Sequence, residues 1–162
     1  MFPAAMPKIT FGEDFFKQIS VLESDIRHLS YRLNDFHDPL ETALEFVIIP
    51  SIRTNFAVGG RPKWKPLSPI TVRARGGLEG PILYRSGDLY NAATDRSTWT
   101  VTNDMLIMTE IVSKVQYAIY HQLGTRNMAQ REFVLYQPQD IEFIVAIFEK
   151  WLDFLIEEEW GL

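Results

Sequence analysis

The chain has 162 residues, a net charge of −5 and no cysteine. That length suits one domain with its own core, burying roughly two-thirds of the surface the unfolded chain exposes. The missing cysteine excludes disulfides, thiolate metal sites and cysteine nucleophiles, the spread of Trp64, Trp99, Trp151 and Trp160 speaks against disorder, and the acidic balance speaks against nucleic-acid binding by the whole surface.

Residues 1–8 lack the basic stretch followed by an apolar one that marks a signal peptide. No apolar run reaches the roughly 18 to 20 residues that span a bilayer, so a soluble protein is expected. In chain order, Phe15, Phe16, Ile19, Leu22, Ile26 and Leu29 recur at helical spacing and predict an amphipathic helix from Asp14 to Leu33. Asp38 followed by Pro39 reads as an N-cap with proline in the first helical position. The helix it opens carries Leu40, Leu44, Val47, Ile48 and Ile52 to Phe56, with a kink or break expected near Ile49 because Pro50 lies inside it. Val58-Gly59-Gly60 ends it.

From Arg61 to Gly80 prolines and glycines replace any apolar period, which predicts a long loop with at most one helical turn, at Ser68 to Arg75. A loop of that length in a compact domain points to function, and residues 58–82 read as an extended arm. Ser86 reads as the N-cap of a short helix beginning at Gly87 and running to Thr94. Ser97 to Thr102 and Met105 to Val112 read as a β-hairpin turning at Asn103-Asp104. Val115 to Leu123 reads as a short helix closed by Gly124, and Glu132 to Tyr136 as a third strand. From Pro138 or Gln139, the residues Ile141, Ile144, Val145, Phe148, Trp151, Leu152 and Leu155 hold helical register to Glu159. The fold class expected is α+β: one domain over 1–162, with N-terminal helices and a long C-terminal helix packed on a small antiparallel sheet.

The chemistry-bearing residues do not assemble into a catalytic or metal pattern. His28, His37 and His121 never stand four apart, and no HExxH is present. His28 and His37 suit exposed positions, and His121 a buried or interfacial one. Ser86 lacks the glycine-framed setting of a hydrolase nucleophile. The glycines of Gly76-Gly77-Leu78-Glu79-Gly80 precede no Lys-Ser/Thr and follow no strand, so they make a loop and no phosphate cradle. Glu157, Glu158 and Glu159 are consecutive and fan around a helix end, which is unlike the facing pair of a glycosidase. Neither an enzyme nor a cofactor or metal is expected.

Charge is uneven. Arg61, Lys63, Lys65, Arg73, Arg75 and Arg85 face Glu79 alone in the middle of the chain, whereas from Pro138 onward acids outnumber bases heavily. The two regions are either complementary faces of neighbouring subunits or separately solvated surfaces. Trp64 among Arg61, Lys63 and Lys65 also resembles a stacking patch for single-stranded nucleic acid, although a lone tryptophan between prolines more often pins a loop to a core or a partner.

Four blocks occur in fixed order: Trp64-Lys-Pro-Leu-Ser-Pro-Ile-Thr71, Ile82-Leu-Tyr-Arg-Ser-Gly-Asp-Leu89, Tyr117-Ala-Ile-Tyr-His-Gln-Leu-Gly124 and Arg131-Glu-Phe-Val-Leu135. Together they resemble the phage virion morphogenesis family typified by the G protein of phage Mu, which is similar to other tail-completion and neck proteins of tailed phages. The match runs from about Phe56 to the C-terminus. The family writes a proline between the arginine and phenylalanine of the last block and a glycine soon after it; here Glu132 stands in that gap, and a differently shaped loop before the final helix is expected. The resemblance implies a structural virion subunit assembled in the host cytoplasm, forming a ring, sixfold like the tail tube, between connector or portal proteins and the tail tube or terminator. Genome DNA would pass its bore, and the acidic final helix is one candidate lining. Trp64, Lys65, Arg73, Arg75, Arg85, Tyr117, His121 and Gln122 are the subunit-interface candidates, with Tyr117, His121 and Gln122 orienting the arm or the adjacent loop. Leu83, Leu89, Ala118 and Phe133 are expected to hold the subunit itself together. The alternative is a nucleic-acid-binding accessory protein using the 61–85 loop.

Overall fold

The structure, a computed structural model, describes residues 15–108 and 114–160. Helix α1, Phe15–Arg32, follows the predicted period; its expected start at Asp14 lies outside the described residues. Ile19, Leu22 and Leu29 are half-buried, whereas Val21, Ile26 and Tyr31 stay exposed, because α1 packs mainly on the last helix.

Helix α2, His37–Ala43, begins one residue before the predicted cap. Phe36 holds the cap position without a side-chain cap bond, Asp35 before it accepts from the His37 N–H on its Oδ1 at 3.0 Å, and Asp38 lies inside the first turn. Beyond α2 the chain makes a π turn, Leu44–Ile48, and continues as α3, Ile49–Val58. Pro50 has no N–H to return to the carbonyl four residues back. The π turn absorbs this mismatch, with the Ile49 N–H reaching the Leu44 carbonyl five residues back, so the expected break becomes a change of helix type. Gly59 and Gly60, both at positive φ, stop α3 as predicted.

Helix α4, Pro69–Ala74, is the single helical turn expected in the long loop, capped by Ser68, whose Oγ accepts from the Thr71 N–H. In α5, Asp88–Thr94, the N-cap is Gly87 at φ +90°, so Ser86 lies one position outside the cap assigned to it. Its hydroxyl bonds the Asp88 carboxylate at 2.6 Å. A 3-10 turn, Arg96–Thr98, leads into the predicted hairpin, which is shorter than expected: β1, Trp99–Val101, pairs antiparallel with β2, Leu106–Met108, in the register Trp99 to Met108. The predicted continuation of the second strand through 109–112 lies outside the described residues. The short helix α6, Ala118–Leu123, starts later than predicted and ends at Gly124. The last helix, α7, is Pro138–Trp160.

The predicted third strand is absent. Residues 132–136 run without strand pairing because side chains take the places of ladder partners. Gln122 Oε1 accepts from the N–H groups of Phe133 (3.1 Å) and Val134 (3.2 Å), and its Nε2 donates to the Val134 carbonyl at 2.8 Å. Asn55 Nδ2 donates to the carbonyls of Phe133 and Leu135, both at 3.1 Å. Trp64 Nε1 donates to the Glu132 carbonyl at 2.9 Å. Buried backbone groups must find partners, and side chains supply them here.

The fold is α+β, with a two-stranded sheet among helices. Its core gathers on one face of the π turn and α3, where Leu44, Ile48, Ile52 and Phe56 meet Trp64, Leu83, Leu89, Trp99, Ala118 and Phe133. The Phe56 ring stands edge-on to Trp64 and Tyr90 at 5.6 and 5.4 Å, geometries that favour aromatic pairs. Helix α7 packs chiefly on α1, α2 and the π turn, and the hairpin meets α2 through β1. Phe36, between Phe148 and Trp151 at 5.9 and 5.5 Å, joins the start of α2 to α7. Two exposed contacts, His28 with Glu159 and Arg32 with Glu158, tie α1 to the end of α7; pairs of this exposure contribute roughly 0 to 1 kcal/mol.

Candidate functional site

The four sequence blocks, up to 71 positions apart from first to last, line one cleft of about 940 Å³. The first block brings Lys65 and Pro66, the second Arg85 and Asp88, the third Tyr117 and His121, and the last Arg131; Arg75 on the loop after α4 completes the rim. Five of the eight candidate residues therefore meet: Lys65, Arg75, Arg85, Tyr117 and His121.

The other three stand apart. Trp64 is 8% exposed and belongs to the core, packed on Phe56, so its indole is not an arm for a neighbour to receive. Its segment is rich in prolines and looks extended, yet the apolar ring gains more from the Phe56 face than from solvent. Gln122 orients the adjacent 133–134 segment, the role expected of it. Arg73 is exposed on α4 and does not line the cleft.

Arg131 is the residue that organises this cleft, and the sequence reading left it out of the candidates. It is 8% exposed, with Nε donating to the Lys65 carbonyl and Nη2 to the Pro66 carbonyl, each at 2.9 Å, while its N–H donates to the His121 carbonyl at 2.8 Å. Three blocks are thereby joined at one residue: its guanidinium fork holds two carbonyls of the first block, and its backbone N–H holds the third. The signal for it was the arginine opening the last block, ahead of an apolar run. Asn55 was also missed; its mark in the sequence is an amide three places after Ile52 on the apolar face of a helix.

Electrostatically the cleft is one-sided. Among the described residues, none of Lys65, Arg75, Arg85 and Arg131 forms an ion pair with a carboxylate. Asp88 is the acid on the rim, and Ser86 already bonds it. Burial pulls Arg131 below the usual guanidinium value, and the Arg75 charge nearby adds to the effect. Burial likewise lowers His121, reinforced by Arg131, so the imidazole is neutral at pH 7. Two buried nitrogens at this cleft, Arg75 Nε and His121 Nδ1, have no hydrogen-bond partner among the described residues. Tyr117 stands edge-on to the His121 ring at 5.7 Å.

Arg61 and Lys63 of the middle segment are engaged elsewhere. Arg61 donates to Asn55 Oδ1 at 2.8 Å and to the Ser51 hydroxyl at 2.6 Å, and its charge lies 3.9 Å from Asp140. Lys63 reaches the Val58 carbonyl. The basic run thus divides into an internal strut and an open cleft.

Comparison with protein-family models, with curated protein sequences and with solved structures finds no match to this chain. Among the described residues no group of three or more metal-ligating side chains comes together, and no helix is long and apolar enough to cross a membrane.

Beside the cleft the arm leaves apolar side chains in water. Ile70 on α4 is 75% exposed and Leu78 is 73% exposed. The base of the arm is fastened through Arg61, Trp64 and the two carbonyls that Arg131 holds, and residues 67–81 are exposed or partly so.

Proposed function

We propose that this chain is a structural subunit of a tailed-phage virion, a tail-completion or head–tail joining protein that works by contact and shape and performs no catalysis. In this reading copies close into a ring, sixfold in keeping with the tail tube, between connector or portal-side proteins and the tail tube or its terminator, with DNA crossing the bore. The observation that carries it is the meeting of all four resemblance-bearing blocks at one cleft, beside an arm whose Ile70 and Leu78 find no cover among the described residues. A monomer gains nothing from such exposure, whereas a neighbour that covers it gains about 25 cal/mol per Å² of apolar surface removed from water. Repeated contacts between two unlike surfaces close into a ring when the rotation permits.

Light scattering over a wide concentration range tests this, together with co-purification alongside connector and tail-tube proteins. A ring-sized species, or a stable complex with either partner, is the expected result. A protein that stays monomeric and joins neither partner overturns the proposal.

The unpaired cations of the cleft favour a second reading, a nucleic-acid-binding accessory protein. That reading requires an affinity for DNA or RNA that falls steeply as salt rises, because bound cations displace condensed counterions. A filter-binding series from 50 to 200 mM salt, a range over which such affinities collapse, separates the two.

A further inference from the structure

We propose that the cleft is a receptor for acidic side chains carried on helix α7 of a second copy of this chain, so that subunits join cleft to helix. The inference rests on the ring reading above and names the two surfaces that reading leaves open.

The cleft asks for a carboxylate. Four cations from four separate segments line it without an ion partner among the described residues, and Arg75 Nε and His121 Nδ1 are buried there unpartnered. A buried polar nitrogen with no acceptor is costly, and a cluster of like charges in a concave, partly desolvated site costs more still. An incoming oxyanion relieves both. Guanidinium groups bind carboxylates through paired, charge-assisted hydrogen bonds.

The walls are not purely polar, and this decides the class of occupant. Pro66, Leu67, Leu83 and Met128 also line the cleft. A phosphate backbone makes little use of such apolar wall, whereas a polypeptide with acids and aliphatic residues side by side fits both parts.

The chain carries such a surface. Glu142, Glu149 and Asp153 are exposed on α7. Their spacings of 7 and 11 residues return to one side of a helix with 3.6 residues per turn. Ile141, Val145 and Leu152 form a stripe beside it, about 60 to 100° around the helix, and are also exposed, at 54%, 49% and 39%. Among the described residues none of these three acids forms an ion pair. By contrast Glu158 and Glu159, further along, contact Arg32 and His28 of the same chain. The acid stripe and the cleft are different surfaces, so the contact is head-to-tail and each copy offers one of each.

Sedimentation equilibrium on the full chain, from micromolar to millimolar at low salt, tests the contact with two variants. Arg75→Glu spoils the cleft and Glu149→Lys the stripe; Arg85→Glu, at an exposed position on the same rim, replaces Arg75→Glu if that protein does not fold. Wild type is expected to associate with concentration, and each variant alone to associate at least ten-fold more weakly. Mixed, the two variants are expected to recover association, since the intact cleft of one meets the intact stripe of the other and the two reversed charges again have opposite signs. Association that neither variant weakens overturns this contact and leaves the ring reading standing on other surfaces. No association at millimolar concentration also overturns it, and the virion reading then depends on the co-purification result alone. Protection of the cleft by DNA, lost in Arg75→Glu, overturns it in favour of a nucleic-acid occupant.

Discussion

Asn55, fully buried on α3, bonds two carbonyls of the 133–135 segment and receives the Arg61 guanidinium on its own oxygen. Replacing it with leucine keeps the volume but strands those carbonyls, and each stranded buried group costs roughly 1 to 3 kcal/mol. Asn55→Leu is therefore expected to lower the unfolding free energy by about 2 to 4 kcal/mol in urea titrations, at an unchanged m-value. His121 illustrates a different kind of control. Its folded pKa lies below the ordinary value near 6.5, first through burial and then through Arg131. A histidine that resists protonation when folded supports the fold fully above its unfolded pKa, and that support is lost as pH falls through 6.5 toward the lower folded value. The melting temperature is expected to drop between pH 7 and pH 5, and His121→Gln to flatten that part of the curve.

At the scale of elements, the turn from Gly59 to Trp64 connects the core helix to the arm. Both glycines sit at positive φ, but their surroundings differ. A Cβ on Gly59 meets nothing within 4 Å, whereas one on Gly60 lands 2.5 Å from the Trp64 ring and 2.6 Å from the Pro62 carbonyl. Gly59→Ala is expected to cost about 1 to 2 kcal/mol, the backbone penalty alone. Gly60→Ala must also displace Trp64 from Phe56 and release the Glu132 carbonyl, with an expected loss above about 3 kcal/mol. Thermal unfolding of the pair, with tryptophan fluorescence as the probe, checks the order. Residues 132–136 have the Phe-Val-Leu composition of a strand, but Trp64, Asn55 and Gln122 hold their backbone. Local composition cannot reveal that side chains 11 to 80 positions away will occupy the ladder groups.

For the whole molecule, Ile70 and Leu78 are the large apolar side chains that the arm leaves in water. Ile70→Asp and Leu78→Asp, at positions open to water, are expected to change stability by less than about 0.5 kcal/mol. If the arm lies on a neighbour, the same substitutions bury a charge there and weaken assembly at least ten-fold, as read by light scattering or by incorporation into a complex. Unchanged assembly would place the contact elsewhere on the surface. The helical apolar faces of α1, α2, α3 and α7, the glycine stop at Gly59-Gly60, the Ser68 turn and the hairpin were all legible in order along the chain, since each depends on residues within a few positions.

What the sequence by itself determined is this local layer: periodicity, turn chemistry, the α+β class and the grouping of basic residues in the middle of the chain. Tertiary structure alone decided which of those basic residues are structural and which line a cleft. Arg61 and Arg75 are indistinguishable as letters, yet one is an internal strut against Asn55 and Asp140 and the other faces the cleft with a nitrogen unpartnered. Trp64 became core and Arg131 became the junction of three blocks for the same reason. Burial and hydrogen bonding are set by groups brought together from distant parts of the chain, and no local pattern encodes which groups those will be.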